Sequence, residues 1–361
     1  TVLTAYGNGE IYDQLISDGF NAIKEEGVPV KYCHFSGGEK SVFSPSYWAN
    51  VYRICCCKSV IKRIICEIKP EVVVVNSMTL SWVGKLTKKI DKRIDTYCFH
   101  RETYVRGLFG LRTYLLQREL DTYFERIAFI SRYDLEQTIT KKAKKYYIPD
   151  CIDIERFQNI SKESSLIETS LDRNKTNILF LGGISRLKGT SIAMRAVDLL
   201  PSNDVCLIVL NGDKLLASGM SNEEREIEKV YKELKHPDRI LLKPASKNVE
   251  VYYSACDIVV FPAIEPHQAM PIFEAGIAKR PIIVSDFACI KEYLINGKNG
   301  YTFTSGDSSK LAERICYVMD NYETDLLKGV VETNYKMAIE IHNKSLYEKN
   351  VRDFFDDENE D

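Results

Sequence analysis

Short apolar runs and amphipathic stretches take turns along almost the whole chain. Runs at 2–6, 28–34, 71–75, 95–99, 126–131, 146–148, 178–181, 205–210, 239–242, 258–261 and 281–285 have the length and residue types of strands. Between them, apolar positions recur at helical spacing over 12–26, 51–68, 81–89, a stretch ending near 123, 132–140, 192–200, 223–234, 249–256, 271–278, a stretch ending at 295, 308–321 and 334–350. The four consecutive valines at 72–75 are apolar on both faces, which suits a central parallel strand. Residues 36–50 read as a polar loop. Residues 155–172 lack a strong period, are rich in Ser, Asn, Asp and Glu, and read as an inter-domain linker. Strand and helix alternate with no long antiparallel pattern, so the fold class is α/β, with two doubly wound parallel-sheet domains.

Composition changes that picture little. A chain of 361 residues suits two domains, and 45% hydrophobic residues suffice for ordinary cores. No apolar run approaches the ~20 residues of a membrane span. The eleven cysteines are odd in number and none are paired as C-x-x-C. They point to reduced thiols in a cytoplasmic protein, not to a disulfide framework or a zinc site. The first residues show no secretory-leader pattern, and because the sequence opens at Thr1 without a Met, a few residues are expected to precede it. Charge divides unevenly: residues 1–160 hold 24 Lys+Arg against 19 Asp+Glu, and the rest hold 25 against 32. The predicted helix 51–68 carries Arg53, Lys58, Lys62 and Arg63 among apolar residues. It is either a packed helix with a solvated basic edge or a helix lying near an anionic membrane surface.

Candidate chemistry gathers where strands end. The run 178–181 leads into Gly182-Gly183, then Arg186 and Lys188, then a helix. In an open α/β sheet that edge is where ligands bind. Glycine allows close backbone approach, Arg offers a fork of donors and Lys a point charge, a combination suited to a diphosphate. The alternative is a surface loop with solvated cations. The stretch 261–274 is a second strand end, a polar loop and a helix start whose free N–H groups suit a phosphate or sugar hydroxyls. Glu274, about one turn in, can accept from the paired hydroxyls of a ribose, or can serve only the helix dipole. His100-Arg101-Glu102 follow another strand. Gly7-Asn8-Gly9-Glu10 sit between a strand and a helix without a full G-x-G-x-x-G fingerprint, so a dinucleotide site there is weakly supported.

Taken together, these stretches resemble a retaining nucleotide-sugar glycosyltransferase of the GT-B fold, of the large family usually numbered four, the glycosyl transferases group 1. The resemblance rests on Gly7 to Glu10, the strand ending in His100, Leu181-Gly182-Gly183 with Arg186 and Lys188, and the Pro-rich loop leading to Glu274. Pro281-Ile282-Ile283-Val284-Ser285, the turn Asn296 to Gly300, and Tyr147-Ile148-Pro149-Asp150-Cys151-Ile152-Asp153 with Phe157 extend it. It implies two Rossmann-like domains facing across a cleft. The boundaries are an acceptor domain 1–165, a nucleotide-sugar donor domain 170–330, a helix 331–350 crossing back to the first domain, and an acidic tail 351–361. By resemblance, Arg186 and Lys188 hold the donor diphosphate, with Gly183 beside them. Glu274 binds the ribose and His100 lines the donor-sugar site. Backbone at Gly7 and Gly9 approaches the phosphates, and the amides around Ala269 and Met270 hold sugar hydroxyls. The family pattern of Glu, seven residues, Glu is not met. Glu265 and Glu274 have eight residues between them, and Pro266 stands where the first Glu belongs. Either the loop bulges by one residue and Glu265 still serves, or the first Glu is absent.

The implied reaction moves a sugar from a nucleotide diphosphate sugar, a UDP-sugar being favoured, to a glycan or lipid-linked acceptor with retention. No Asp-x-Asp motif lies at a strand end to bridge a metal and a diphosphate. The expectation is therefore no metal and no other cofactor. The partners expected are the donor, the acceptor and a peripheral contact with the inner membrane face, in cell-surface polysaccharide or glycolipid synthesis; nucleic acid is not expected. The competing readings are a non-catalytic sugar-nucleotide-binding subunit and a nucleotide-sugar epimerase of the same fold. A dinucleotide-dependent dehydrogenase is disfavoured by the incomplete glycine fingerprint.

Overall fold

In the computed structural model, which describes residues 1–4, 9–24, 45–104, 110–216, 220–266 and 270–356, the chain divides after Ile148 and again after Asn350. One unit is Thr1–Ile148 with Val351–Asp361, and the other is Pro149–Asn350. The division falls before the linker expected at 155–172.

The first unit opens with β1 (Val2–Thr4), α1 (Gly9–Ser17) and β2 (Ala22–Lys24), the two strands pairing in parallel. The helix is shorter than the expected 12–26, and β2 takes part of that stretch. Gly19 adopts a left-handed φ of 82°, and the Phe20 N–H closes onto the Leu15 carbonyl at 2.9 Å. That is a glycine helix stop, and it comes well before Gly27. The expected strand at 28–34 lies outside the described residues. Next come α2 (Pro45–Ile68), β3 (Val72–Val75), α3 (Ser81–Ile90), β4 (Asp95–His100), α4 (Leu111–Tyr123), β5 (Arg126–Phe129), α5 (Arg132–Gln137) and β6 (Lys144–Tyr147). α2 begins within the stretch read as loop, because a proline loses nothing in a helix's first turn. The parallel order is β3-β4-β5-β6. The valine run therefore ends this described sheet instead of standing at its centre, with Val72 and Val74 36% and 43% exposed. Valine favours a strand but does not say how many neighbours it has. The core joins Cys98, Ile127 and Phe129 of the sheet to Leu120 of α4 and to Ile54, Cys57, Ile61 and Ile65 of α2.

The second unit begins with α6 (Lys162–Thr169), which occupies the expected linker. Ser161 caps it, accepting from the Ser164 N–H at 3.1 Å. Its apolar side chains, Leu166 and Ile167, are too few to show a period. Then come β7 (Thr176–Phe180), α7 (Thr190–Asp198), β8 (Val205–Leu210), α8 (Asn222–Glu233), β9 (Ile240–Lys243), α9 (Val249–Ala255), β10 (Ile258–Phe261), α10 (Met270–Ile277), β11 (Ile282–Ser285), β12 (Tyr301–Phe303), α11 (Ser308–Asp320), α12 (Asp325–Ile341) and α13 (Lys344–Asp356), whose residues from Val351 on belong to the first unit. The six strands run parallel in the order β12-β11-β10-β7-β8-β9. The helix expected to end at 295 is only a short 3-10 turn at Ala288–Ile290, and the three-residue β12 was not anticipated. In β7, Ile178, Leu179 and Phe180 are fully buried, each contributing about 1.5–3 kcal/mol. That anchors the loop that follows.

The expected single helix at 334–350 is two helices. Buried His342 breaks the run: its Nδ1 bonds the Asp150 carbonyl, and Asn343 caps α13 by accepting from the Leu346 N–H at 2.8 Å. Residues to Asn350 belong to the second unit, so the return to the first unit lies at Val351 and beyond, not across 331–350. There Phe354 is fully buried against the rings of Tyr97, Phe99 and Tyr146, and Arg126 Nη1 donates to its carbonyl at 2.6 Å. The start of the expected acidic tail is thus packed helix; residues 357–361 lie outside the described residues.

Candidate functional site

Strands β7, β8 and β9 step one way across the second sheet and β10, β11 and β12 step the other, so β7 and β10 flank the reversal. At such a reversal in an open α/β sheet, successive connections leave on opposite faces and ligands bind outside the carboxyl ends of the two strands. Both sequence stretches singled out for chemistry begin at this place: residues 181–189 after β7 and 262–266 after β10.

The two loops are fastened together. The Ile264 N–H donates to the Leu187 carbonyl at 3.0 Å. Gly189 has a φ of 82°, and a Cβ there would stand 1.8 Å from the Pro262 carbonyl oxygen, so only glycine fits. Buried Thr190 staples the turn, its hydroxyl donating to the Gly183 carbonyl at 2.8 Å and accepting from the Ser185 N–H at 2.9 Å. The Arg186 N–H donates to Glu223 Oε1 at 2.6 Å. Gly183 is buried beside Asn211, whose Nδ2 would lie 3.3 Å from a Cβ at that position. The backbone is thereby pinned while the Arg186 and Lys188 side chains stay exposed. Among the described residues neither forms an ion pair. Two cations on a fixed turn at the switch point can attract and hold a compact dianion.

Glu265 follows Ile264 directly, so the hydrogen bond to Leu187 keeps it next to the cationic turn; it is half-buried. Met270 is the first residue of α10, and Glu274 lies one turn in, half-buried. The Tyr253 hydroxyl, on fully buried Tyr253 of α9, donates to Glu274 Oε2 at 2.7 Å. Burial raises the Glu274 carboxyl, while the Tyr253 hydrogen bond and then Arg156 pull against it. Burial, and next the Glu274 charge, push the Tyr253 phenol well above its usual range, so it remains a donor.

His100 belongs to the first unit. It is the last residue of β4 and not the residue after it. It is 1% exposed, with Tyr104 edge-on and Phe129 tilted against it, both at 4.8 Å between ring centres. Burial pushes its pKa down to about 3, so the ring is neutral. Neither ring nitrogen has a hydrogen-bond partner among the described residues. Beside it at the same sheet edge, Glu102 takes the Met78 N–H at 3.2 Å and the Ser77 hydroxyl.

The structure therefore brings Gly183, Arg186, Lys188 and Glu265 together on joined loops, and sets Glu274 one helical turn beyond Met270. Gly9 opens α1; Gly7 and Ala269 lie outside the described residues. Sequence reasoning missed Thr190 and Tyr253. Thr190 could have been noticed as the polar residue opening the helix after Gly189. Tyr253 is 21 positions from Glu274 and carried no signal. Among the described residues no three His, Cys, Asp or Glu side chains gather as metal ligands, and no helix is long and apolar enough to cross a membrane.

No curated protein matches the sequence. Solved structures do match in fold. A glycosyltransferase from Rickettsia africae ESF-5 is 16% identical with a TM-score of 0.74, covering 99% of this chain and 90% of that one. Sucrose-phosphate synthase from Thermosynechococcus elongatus is 15% identical with a TM-score of 0.73, covering 99% and 95%. Anabaena Alr3699/HepE in complex with UDP-glucose is 15% identical with a TM-score of 0.72, covering 97% and 90%. At such identity these similarities speak for the fold, which is GT-B. Residues 161–337, which hold the joined loops and Glu274, match the family described as glycosyl transferases group 1. On that match and that fold, residues 161–337 carry the domain of the group 1 glycosyltransferases within a chain of GT-B fold.

Proposed function

We propose that the protein transfers a sugar from a nucleotide diphosphate sugar to a glycan or lipid-linked acceptor, with retention and without a metal ion. The observation that carries this reading is the pinned turn at the switch point, with Arg186 and Lys188 exposed on it and held in no ion pair among the described residues. A UDP-sugar is the favoured donor, because the similar Anabaena protein has been solved with UDP and with UDP-glucose.

As the bond from the anomeric carbon to the β-phosphate oxygen breaks, negative charge grows on the leaving diphosphate. Arg186 and Lys188 stabilise that charge from a turn that need not reorganise. The acceptor hydroxyl attacks from the same face through an oxocarbenium-like state, and its proton passes to the leaving phosphate oxygen. Glu274 accepts hydrogen bonds from the ribose. Glu265 and the backbone around Met270 face the sugar. His100, neutral and desolvated, contributes a hydrogen bond to a sugar hydroxyl and not a charge. Gly7, Gly9 and Ala269 retain the backbone roles that the family resemblance implies.

Peripheral contact with the inner membrane face, in polysaccharide or glycolipid synthesis, is supported by α2. Its outward stripe carries Trp48 at 61% and Tyr52 at 71% exposure, followed by exposed Lys62 and Arg63.

The test is a panel of UDP-, GDP- and ADP-sugars offered to purified protein with and without chelator, and with anionic or neutral lipid vesicles. Release of one nucleoside diphosphate, unaffected by chelator and enhanced by anionic vesicles, is expected. Binding without turnover of any donor would instead favour the sugar-nucleotide-binding subunit.

A further inference from the structure

We infer that Tyr253 is a positioning residue: its buried hydroxyl orients the Glu274 carboxylate and so sets how strongly the site selects a ribose diol in the nucleotide. The inference rests on Glu274 being the ribose acceptor.

The geometry supplies a fixed donor aimed at one carboxylate oxygen. The Tyr253 hydroxyl lies 2.7 Å from Glu274 Oε2. The tyrosine has no freedom to swing. Its side chain is fully buried, its ring packs 5.8 Å from that of Phe157, and its backbone carbonyl accepts from Arg280 Nε at 3.0 Å. Glu274, by contrast, keeps part of its surface in solvent. An unbraced glutamate has three side-chain torsions to order when a ligand arrives, and that ordering weakens binding. With Oε2 held by the phenol, the carboxylate plane is set beforehand, while Oε1 and the second lone pair of Oε2 remain free to accept from two neighbouring hydroxyls. A dideoxyribose offers no hydroxyl to either, so the brace matters only for the ribose form. Burial also keeps the phenol protonated at any working pH, so the donor is always present.

The test measures dissociation constants by calorimetry. The probes are the tightest-binding of UDP, GDP, ADP and CDP, and its 2′,3′-dideoxy counterpart. Wild type should prefer the ribose form. Tyr253→Phe should shrink that preference by about tenfold, the scale of a hydrogen bond to a charged group, and leave dideoxy affinity unchanged. p-Aminophenylalanine at position 253, which keeps an N–H donor there, should restore it. Glu274→Ala should abolish it. If Glu274→Ala abolishes the preference and Tyr253→Phe retains it, the role of Tyr253 is overturned alone. If Glu274→Ala retains the preference, or no nucleoside diphosphate binds wild type, the ribose assignment of Glu274 falls and this inference with it. If Tyr253→Phe weakens both nucleotides equally, the tyrosine only holds the fold, and the inference is overturned.

Discussion

At the carboxyl edge of the second sheet two cations stand exposed on a turn whose backbone is fastened by several hydrogen bonds; at that of the first, a neutral histidine is buried between aromatic rings. In the proposed reaction the two edges would solve different problems. A diphosphate carries full charge, and cations facing it must stay hydrated until it arrives, because burying them unpaired would cost far more than the attraction returns. Rigidity there comes from backbone contacts, chiefly Gly189 against Pro262 and Thr190 against Gly183. The sugar hydroxyl that the proposal assigns to His100 is neutral, so its partner can be fully desolvated, and the burial that keeps His100 uncharged would also strengthen such a hydrogen bond. Exposed charge on a rigid backbone and buried neutrality in a ring pocket are the signs by which the two edges can be told apart.

That contrast can be broken experimentally. The largest effect should come from replacing both Arg186 and Lys188 by alanine, which should lower kcat/KM by about 10²–10³-fold or more, as loss of transition-state charge stabilisation does. The fold should stay intact, since both side chains are exposed. Unchanged donor turnover would remove the electrostatic account. Gly189→Ala should act on stability instead. A Cβ 1.8 Å from the Pro262 carbonyl oxygen, at a φ of 82°, should cost about 3 kcal/mol and appear as a lowered denaturation midpoint. Wild-type stability in that variant would mean that the two loops are not locked. The smallest effect concerns the buried edge. His100 stays neutral in the fold until about pH 3, whereas an unfolded histidine takes a proton below about 6.5. Its contribution is therefore complete above pH 6.5 and lost as pH falls toward 3, amounting to about 2 kcal/mol by pH 5. His100→Phe should flatten that part of the stability profile measured by denaturant titration. An unchanged slope would place the histidine in contact with water.

Much of the second unit was legible in the chain because its signals are local. β7, β8 and β10 are apolar runs long enough to recognise, and the glycines and cations of residues 182–189 follow β7 within a few positions. Failures came where the deciding partner is remote or the element is small. α6 has too few apolar residues to show a period, and β12 is too short. The division of 334–350 depends on His342 meeting Asp150. The edge position of the valine run depends on which strands stand beside it.

By itself the sequence determined the α/β alternation, the two strand-end loops and the two cations that the proposal sets against a diphosphate, because strand length, helical period and glycine placement are properties of neighbours along the chain. Only the tertiary structure decided that the two loops are bonded to each other, that Tyr253 braces Glu274, and that His100 is neutral. Each of those depends on which distant segments are packed together and on how much water that packing excludes.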